Sequence, residues 1–391
     1  MDVVCFGQQN WDFCWTGKQQ LTTRLARRGH RVFYVDPDID VEDHGFSAAV
    51  RTLAPSLFRL GLREVEPNLF VYTHRYSPFA RWRGTLWRHP RLLRAWLRRL
   101  GFRGAVALTL QPRILDLDAI GGFRAHVHYA IDEMTGYGGL ADEERRRIRR
   151  LEVALVRRSD RVLAISPRLL ARLRRLHPDC HLLPSGADLE RFSPARIREA
   201  PLAAELRSLP GPVIGFVGQV DERVDQALVA WLARARPAWR FVFVGRTKPG
   251  VDLSALSCLS NVYLLGYRPH SQLPGYLKGT TVCGVPYVKN PLTEAASPLK
   301  VYEYLATGLP VVSVPLDGLL DCRGVVAIAS EPADFLASLE RCVAQPEAGR
   351  RERLEVAARN SWARRVRDLE GHLAAALAKR SEVVAGARGA A

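Results

Sequence analysis

Lysine is scarce in this chain, at six of its 57 basic residues, and methionine occurs twice. No uncharged apolar run reaches the roughly 18 residues that a membrane-spanning helix needs, which argues against a spanning segment. The N-terminal MDVVCFG has no basic stretch followed by an apolar one, so export is not expected and a cytoplasmic protein is. Seven cysteines, at 5, 14, 180, 258, 283, 322 and 342, include no C-x-x-C pair and mostly sit in apolar runs such as VVCFG and TVCGVPY. That pattern excludes a disulfide framework and a zinc site, and leaves reduced core thiols. The first strand-to-helix turn, VVCFGQQNWD, lacks G-x-G-x-x-G, which argues against a dinucleotide dehydrogenase. No nucleic-acid-reading module is recognisable. The net charge of +17 is carried by arginine, a bias that a GC-rich genome produces without any function, and nucleic acid is not expected as a partner.

What is present is a long chain of short apolar segments. At 391 residues it exceeds the roughly 250–300 at which a single core stops growing, so two domains are expected. Strands are predicted near 3–7, 31–36, 69–73, 105–110, 126–131 and 161–166, with a helix over 18–28 that stops at Gly29. Residues 185–212 change texture to Pro, Ala and charge, as a linker does. The alternation then restarts in PVIGFVG, RFVFVG, NVYLLG, TVCGVPY, PVVSVP and VVAIAS, with helices near 222–235, 271–278, 298–307 and 332–345. Such near-continuous apolar strands belong to parallel sheets covered on both faces. The expected architecture is α/β: two doubly wound domains facing a cleft, with ligands at the carboxyl ends of the strands. The expected boundaries are 1–190, a linker over 191–211, 212–365, and a C-terminal helix and tail over 366–391 that packs back on the first domain.

One stretch carries chemistry. In SPLKVYEYLATGLPVVSVPL, residues 297–316, Ser297 suits an N-cap and Pro298 the first helical position. The N–H groups of Leu299 and Lys300 then point out of the helix start, an end that attracts anions, and Lys300 adds a cation beside it. Glu303 shares the face of Lys300, where a carboxylate accepts hydrogen bonds from two vicinal hydroxyls. Phosphate beside a diol describes a nucleotide. The plainer reading is a surface helix with an ordinary Lys/Glu pair, but this helix is wedged between two buried strands.

The stretch resembles the donor-binding segment of retaining glycosyltransferases of family 4, which have the GT-B fold. HVHYAIDEM, RVLAISPRLL with HLLPSGADLERF, PVIGFVGQVDERVDQALV, NVYLLGYRP and NSWARRVRDL resemble the same family in the same order, over most of residues 1–370. Within it, the chain is most similar to the bacterial branch of envelope and teichuronic-type polysaccharide assembly. The resemblance implies a retaining, metal-independent transferase with no cofactor and a nucleoside diphosphate sugar, UDP first, as co-substrate. The acceptor is left open between a glycan, a lipid-linked intermediate and a small molecule.

Carried over residue by residue, the resemblance makes Glu303 the ribose ligand and Ser297, Leu299 and Lys300 the diphosphate site. Gly218 faces that diphosphate, and Gly266, Tyr267 and Arg268 form the loop that grips the base; both glycines also suit ordinary strand-end turns. Asp132 and His128, at the end of a first-domain strand, are candidate catalytic residues, with a buried capping aspartate as the alternative for Asp132. Three departures stand out. The family's first glutamate falls at Ala295, with Glu294 one residue away. The basic pair after the first strand of the second domain is reduced to GQVDERVDQ, leaving Gln219 and Arg223, so Arg223, Lys300 or Lys18 must meet the phosphate charge. The usual Gly-Gly turn is replaced by QQNWDFCWTGKQQ, where Trp11, Asp12, Trp15 and Lys18 line an acceptor pocket or simply pack a turn.

Two features lie outside this scheme. DPDID at 36–40 has the Asp-x-Asp form of a metal site, but after only the second strand it reads as a turn. Residues 75–103 hold nine arginines and three tryptophans without an acid, suited either to an interfacial helix on an anionic membrane or to a solvated helix that buries its Trp and Leu. A sugar-nucleotide epimerase of the same fold and a basic nucleic-acid-binding protein are the alternatives to a transferase.

Overall fold

The computed structural model describes residues 1–37, 61–73, 89–113 and 117–389. The first half runs β1 (Asp2–Phe6), α1 (Gly17–Arg27), β2 (Arg31–Val35), β3 (Gly61–Glu66), β4 (Leu69–Thr73), α2 (His89–Arg99), β5 (Ala105–Thr109), α3 (Leu117–Ile120), β6 (Phe123–Ala130), α4 (Asp142–Arg158), β7 (Arg161–Ala164), α5 (Pro167–Arg174) and β8 (Cys180–Leu182). These strands form one sheet in the order β3-β4-β2-β1-β5-β6-β7-β8, parallel except for β3 against β4. The apolar runs VVCF, VFYV and AVALT are buried end to end, as a sheet covered on both faces requires. β3 and β8 have no counterpart among the predicted strands. GLREVE is half charged, as a sheet edge tolerates, and CHL is three residues long.

Short helices, α6 (Leu189–Phe192) and α7 (Pro194–Glu199), and a 3-10 turn at Ala204–Leu206 occupy the stretch read as a linker. Asp188 anchors it to α1, accepting from Gln20 and from Arg24, both at 3.0 Å. The second half runs β9 (Val213–Val217), α8 (Gln226–Ala235), β10 (Arg240–Val244), α9 (Ser254–Ser257), β11 (Val262–Leu264), α10 (Leu273–Lys278), β12 (Val282–Val285), α11 (Pro291–Glu294), α12 (Leu299–Thr307), β13 (Val311–Ser313), β14 (Ala327–Ile328), α13 (Pro332–Ala344) and α14 (Arg350–Arg359). Its parallel sheet has the order β11-β10-β9-β12-β13-β14. Two Rossmann-like domains with parallel sheets result.

The last helix, α15 (Trp362–Gly389), returns to the first domain. Trp362, Val366, Leu369, Leu373 and Ala376 share a core with Val3, Cys5, Leu108 and Val127. This helix therefore supplies one covering layer of the first sheet although it follows the second domain in sequence. Among the described residues no helix is long and apolar enough to cross a membrane.

Candidate functional site: a cleft between the two sheets

The turn after β9 is set by α12. The Tyr304 hydroxyl accepts from the Val217 N–H at 2.7 Å and donates to its carbonyl at 3.2 Å, tying the helix to the strand end. Gly218 follows with φ +144°, a conformation that L side chains rarely adopt. A Cβ there would lie 2.5 Å from Lys300 Nζ, so the glycine leaves room for the lysine. The ammonium rests 3.6 Å from the Phe216 ring centre and 5.0 Å from that of Tyr287. Burial lowers its pKa, with Tyr287 opposing the shift.

Arg223 stands beside it, but its guanidinium is clamped by Asp221, with Nε 2.9 Å from Oδ1 and NH2 2.6 Å from Oδ2. Burial opposes ionisation of Asp221, yet the Arg223 hydrogen bonds and charge hold the carboxyl below its ordinary value. Asp132 comes from the other domain, just beyond β6. Its Oδ2 accepts from the Tyr137 hydroxyl at 2.7 Å and from Gln8 Nε2 at 3.2 Å. Burial raises its pKa, while the Tyr137 hydrogen bond and the Arg223 charge pull it back. The carboxyl ends of β6 and β9 thus bring the Asp132 carboxylate of the first domain toward Arg223, which stands beside Lys300 in the second.

Glu303 lies one turn along α12, 6% exposed, with Oε1 3.2 Å from His270 Nε2. His270 is stacked on Trp15 of the first domain, ring centres 5.9 Å apart, and edged by Phe192. Nearby, the Arg246 guanidinium lies 5.3 Å from the Phe13 ring centre and 5.1 Å from that of Tyr267. The loop between β1 and α1 therefore touches the second domain at two places. It is held in shape by Gln19, which donates to the carbonyls of Trp11 at 2.6 Å and Cys14 at 2.8 Å. Gly266, with φ +73°, turns the chain into the exposed Tyr267.

Several expectations need correction. Ser297 does not cap α12: Pro298 occupies the cap position without a side-chain cap bond, and Ser297 instead bridges the domains through Ser185, whose N–H donates to its hydroxyl at 3.2 Å. Leu299 packs against the first-domain core. His128 does not face the cleft. It is 1% exposed, two residues before the end of β6, with Nδ1 3.0 Å from the Thr109 hydroxyl. Burial pushes its pKa down to about 4, so it is a neutral internal residue at neutral pH. Lys18 is 4% exposed under the β1–α1 loop, bonded to Gln9 at 3.1 Å, with its pKa pushed down to about 8 by burial.

Trp11 packs edge-on against Tyr34, Asp12 pairs with Arg63 at 2.6 Å, and Arg268 is held by Glu205 and the Tyr276 hydroxyl. Of the four residues assigned to the acceptor pocket, Trp15 reaches the second domain, and it does so beside Glu303. Glu294 pairs with Arg168 of the first domain at 3.0 Å, and Ala295 is buried among first-domain residues, so this turn is an interdomain contact. Of DPDID, Asp36 and Pro37 are described and positions 38–40 lie outside the described residues. Asp36 accepts from the Trp11 N–H at 2.7 Å and the Thr73 hydroxyl at 2.6 Å, the bonding of a structural turn. Among the described residues no group of three or more His, Cys, Asp or Glu is placed to hold a metal ion.

Gln8, Tyr137, Asp221, His270, Phe13 and Arg246 were not singled out from sequence. His270 alone had a usable signal, lying two residues beyond Arg268 in the loop assigned to the base.

Comparison with known proteins agrees with this architecture. Residues 211–345 match the family described as glycosyl transferases group 1. TuaH of Bacillus subtilis, provisionally assigned as a teichuronic acid biosynthesis glycosyltransferase, is 27% identical over 242 residues, covering 59% of this chain and 60% of that protein. Sucrose-phosphate synthase from Thermosynechococcus elongatus aligns over 95% of this chain and 97% of its own, with a TM-score of 0.69 and 19% identity. Anabaena Alr3699/HepE, in complex with UDP and glucose, aligns over 95% and 99%, with a TM-score of 0.64 and 14% identity. Residues 211–345, in the second domain, are thus similar to the group 1 glycosyltransferases, and the two parallel-sheet domains have the GT-B arrangement.

Proposed function

We propose that the chain transfers a sugar from a nucleoside diphosphate sugar, UDP first, to a hydroxyl of a glycan, lipid-linked or small-molecule acceptor. The observation that carries this reading is the approach of Asp132 to Arg223, which stands beside Lys300, across the cleft at the strand ends where such folds hold ligands. As the sugar–phosphate bond breaks, negative charge grows on the leaving diphosphate. In this reading the Lys300 ammonium and the N–H groups at the start of α12 stabilise that charge. Asp132 accepts a hydrogen bond from the sugar or from the acceptor hydroxyl. Glu303 takes the ribose hydroxyls, and the turn at Gly266 with Tyr267 takes the base. Retention at the anomeric carbon and independence of divalent metal follow the family resemblance.

Incubation with UDP-glucose and a panel of envelope glycan fragments, read by UDP release, tests the transfer. Product with an α-linkage from an α-linked donor supports retention. Conversion of free UDP-sugar to an epimer without acceptor would favour the epimerase instead, and a steep salt dependence of RNA binding without nucleotide binding would favour the nucleic-acid reading.

Attachment to an anionic membrane face is part of this proposal. Residues 75–88 lie outside the described residues. In α2, Leu93 and Leu97 are buried in the first-domain core, which supports the solvated alternative for that part, while Arg91, Leu92, Arg98 and Arg99 face outward. Sedimentation with anionic liposomes at low salt tests attachment, and protein remaining in the supernatant would rule it out.

A further inference from the structure

We propose that a cavity of about 560 Å³ beside the cleft is an acceptor subsite for a phosphate or diphosphate ester. The inference rests on the transferase reading above. The cavity is lined by Arg145, Arg149, Arg168 and Arg172, together with Glu133 and Thr135. The arginines form two pairs at i,i+4 spacing, one near the start of α4 and one on α5. Each pair faces the other from the helices that follow β6 and β7 in the chain. Four guanidinium groups gathered in this way are offset by four carboxylates, Glu133 and Glu152 within the first domain and Glu294 and Asp317 at 3.0 and 3.8 Å from Arg168.

Glu294 and Asp317 sit at the rim, and the other two carboxylates lie behind the arginines. Glu152 and Glu133 side chains are 4% and 10% exposed, whereas those of Arg149 and Arg168 are 43% and 47% exposed. Arg172 donates to Glu152 at 2.8 Å and its Nε lies 3.1 Å from Glu133. Arg149 lies 3.3 Å from Glu152, and Arg145 donates to the carbonyls of Thr135 and Tyr137. A guanidinium has five donors in a fixed fork, so Arg149 and Arg168 keep N–H groups for a ligand, whereas Arg172 is engaged at Nε, NH1 and NH2 and orients the cluster. Planar forks converging from two helices suit the several oxygens of a phosphate better than a single hydroxyl.

Position ties the cavity to the reaction. Asp132 faces Arg223 and Glu133, the next residue, lines the cavity, so residues one peptide unit apart, about 3.8 Å between Cα atoms, serve the two sites. A phosphate held by the arginines would leave the sugar attached to it within reach of Asp132. The Arg168–Glu294 pair closes the rim from the second domain, so the subsite is complete only when the two domains are together. A soluble sugar phosphate and the diphosphate of a lipid-linked sugar share this chemistry.

The test is calorimetric titration of the full chain already saturated with UDP, which fills the donor diphosphate site. Pyrophosphate, glucose 6-phosphate and geranyl diphosphate are the probes. At least one should bind saturably, and Arg149→Gln and Arg168→Gln should each weaken it about 10- to 100-fold. Arg351→Gln, a change of equal charge at an 83% exposed site on α14, should leave it unchanged. Tighter binding of geranyl diphosphate supports a lipid-linked acceptor, and tighter binding of glucose 6-phosphate supports a soluble one. UDP binding with no binding of any probe, or equal weakening by Arg351→Gln, overturns the subsite. Failure of UDP itself to bind overturns the transferase reading on which the subsite rests.

Discussion

Replacing Lys300 by Met removes an ammonium and keeps an unbranched side chain that still packs against Phe216 and Tyr287. A hydrogen bond to a charged group contributes about 1.5–3 kcal/mol, so losing one to the diphosphate should weaken UDP binding about 10- to 150-fold. Uridine has no phosphate, and its affinity should be unchanged. Stability should not fall at neutral pH. The pKa of Lys300 is lowered by burial, so the unfolded chain binds this proton more tightly and the charged residue opposes folding until pH approaches the ordinary lysine value. Met removes that opposition. The assay is calorimetric titration of UDP and uridine against wild type and Lys300→Met, with thermal melts of both proteins. Equal losses for UDP and uridine, or no loss for UDP, would refute the assignment of Lys300 to the diphosphate.

Gly218→Ala should abolish UDP binding at comparable concentrations, because the added Cβ meets Lys300 Nζ at 2.5 Å in a backbone conformation alanine avoids; calorimetry and a circular dichroism spectrum separate lost binding from lost fold. Trp15→Ala removes the stack on His270, a pair worth about 0.5–1.5 kcal/mol, and should raise the dissociation constant for UDP about 2- to 10-fold if contact between domains accompanies binding. Asp36→Asn tests burial of a carboxyl whose pKa is pushed up to about 6. Its contribution is fully present below the unfolded pKa near 4 and is lost as pH rises through 6, so the melting temperature of the variant minus that of wild type should grow between pH 4 and 7. A difference that does not vary with pH would contradict that reading.

Much of the fold was legible because buried parallel strands are written as unbroken apolar runs. VVCF, VFYV, VIGFV and FVFV need no partner to be recognised, and Gly29 and Gly308 end their helices visibly. β3 was not legible, since GLREVE has the composition of a surface loop and becomes a strand only against β4. In the site, Glu303 and Lys300 share a helix, and local spacing brought them together. The pairing of Asp221 with Arg223 was missed although two residues separate them, because the sequence does not tell whether a cation is clamped or free. His128 and Lys18 failed for the opposite reason: their types suggest chemistry, and only the packing of Thr109 and of the β1–α1 loop shows that they are enclosed. Trp15, His270 and Glu303 form a chain of contacts across two domains, which no local pattern encodes.

The most direct test of the account is a thermal-shift panel of UDP, GDP, dTDP, ADP and NAD against wild type and Glu303→Ala, without metal and then with magnesium. A ligand at 100 times its dissociation constant adds about 2.7 kcal/mol of stability, a clear rise in melting temperature. The account predicts that one nucleoside diphosphate, UDP first, raises the melting temperature of wild type and fails to do so in Glu303→Ala. Silence from every nucleotide, or an equal shift in both proteins, would contradict it.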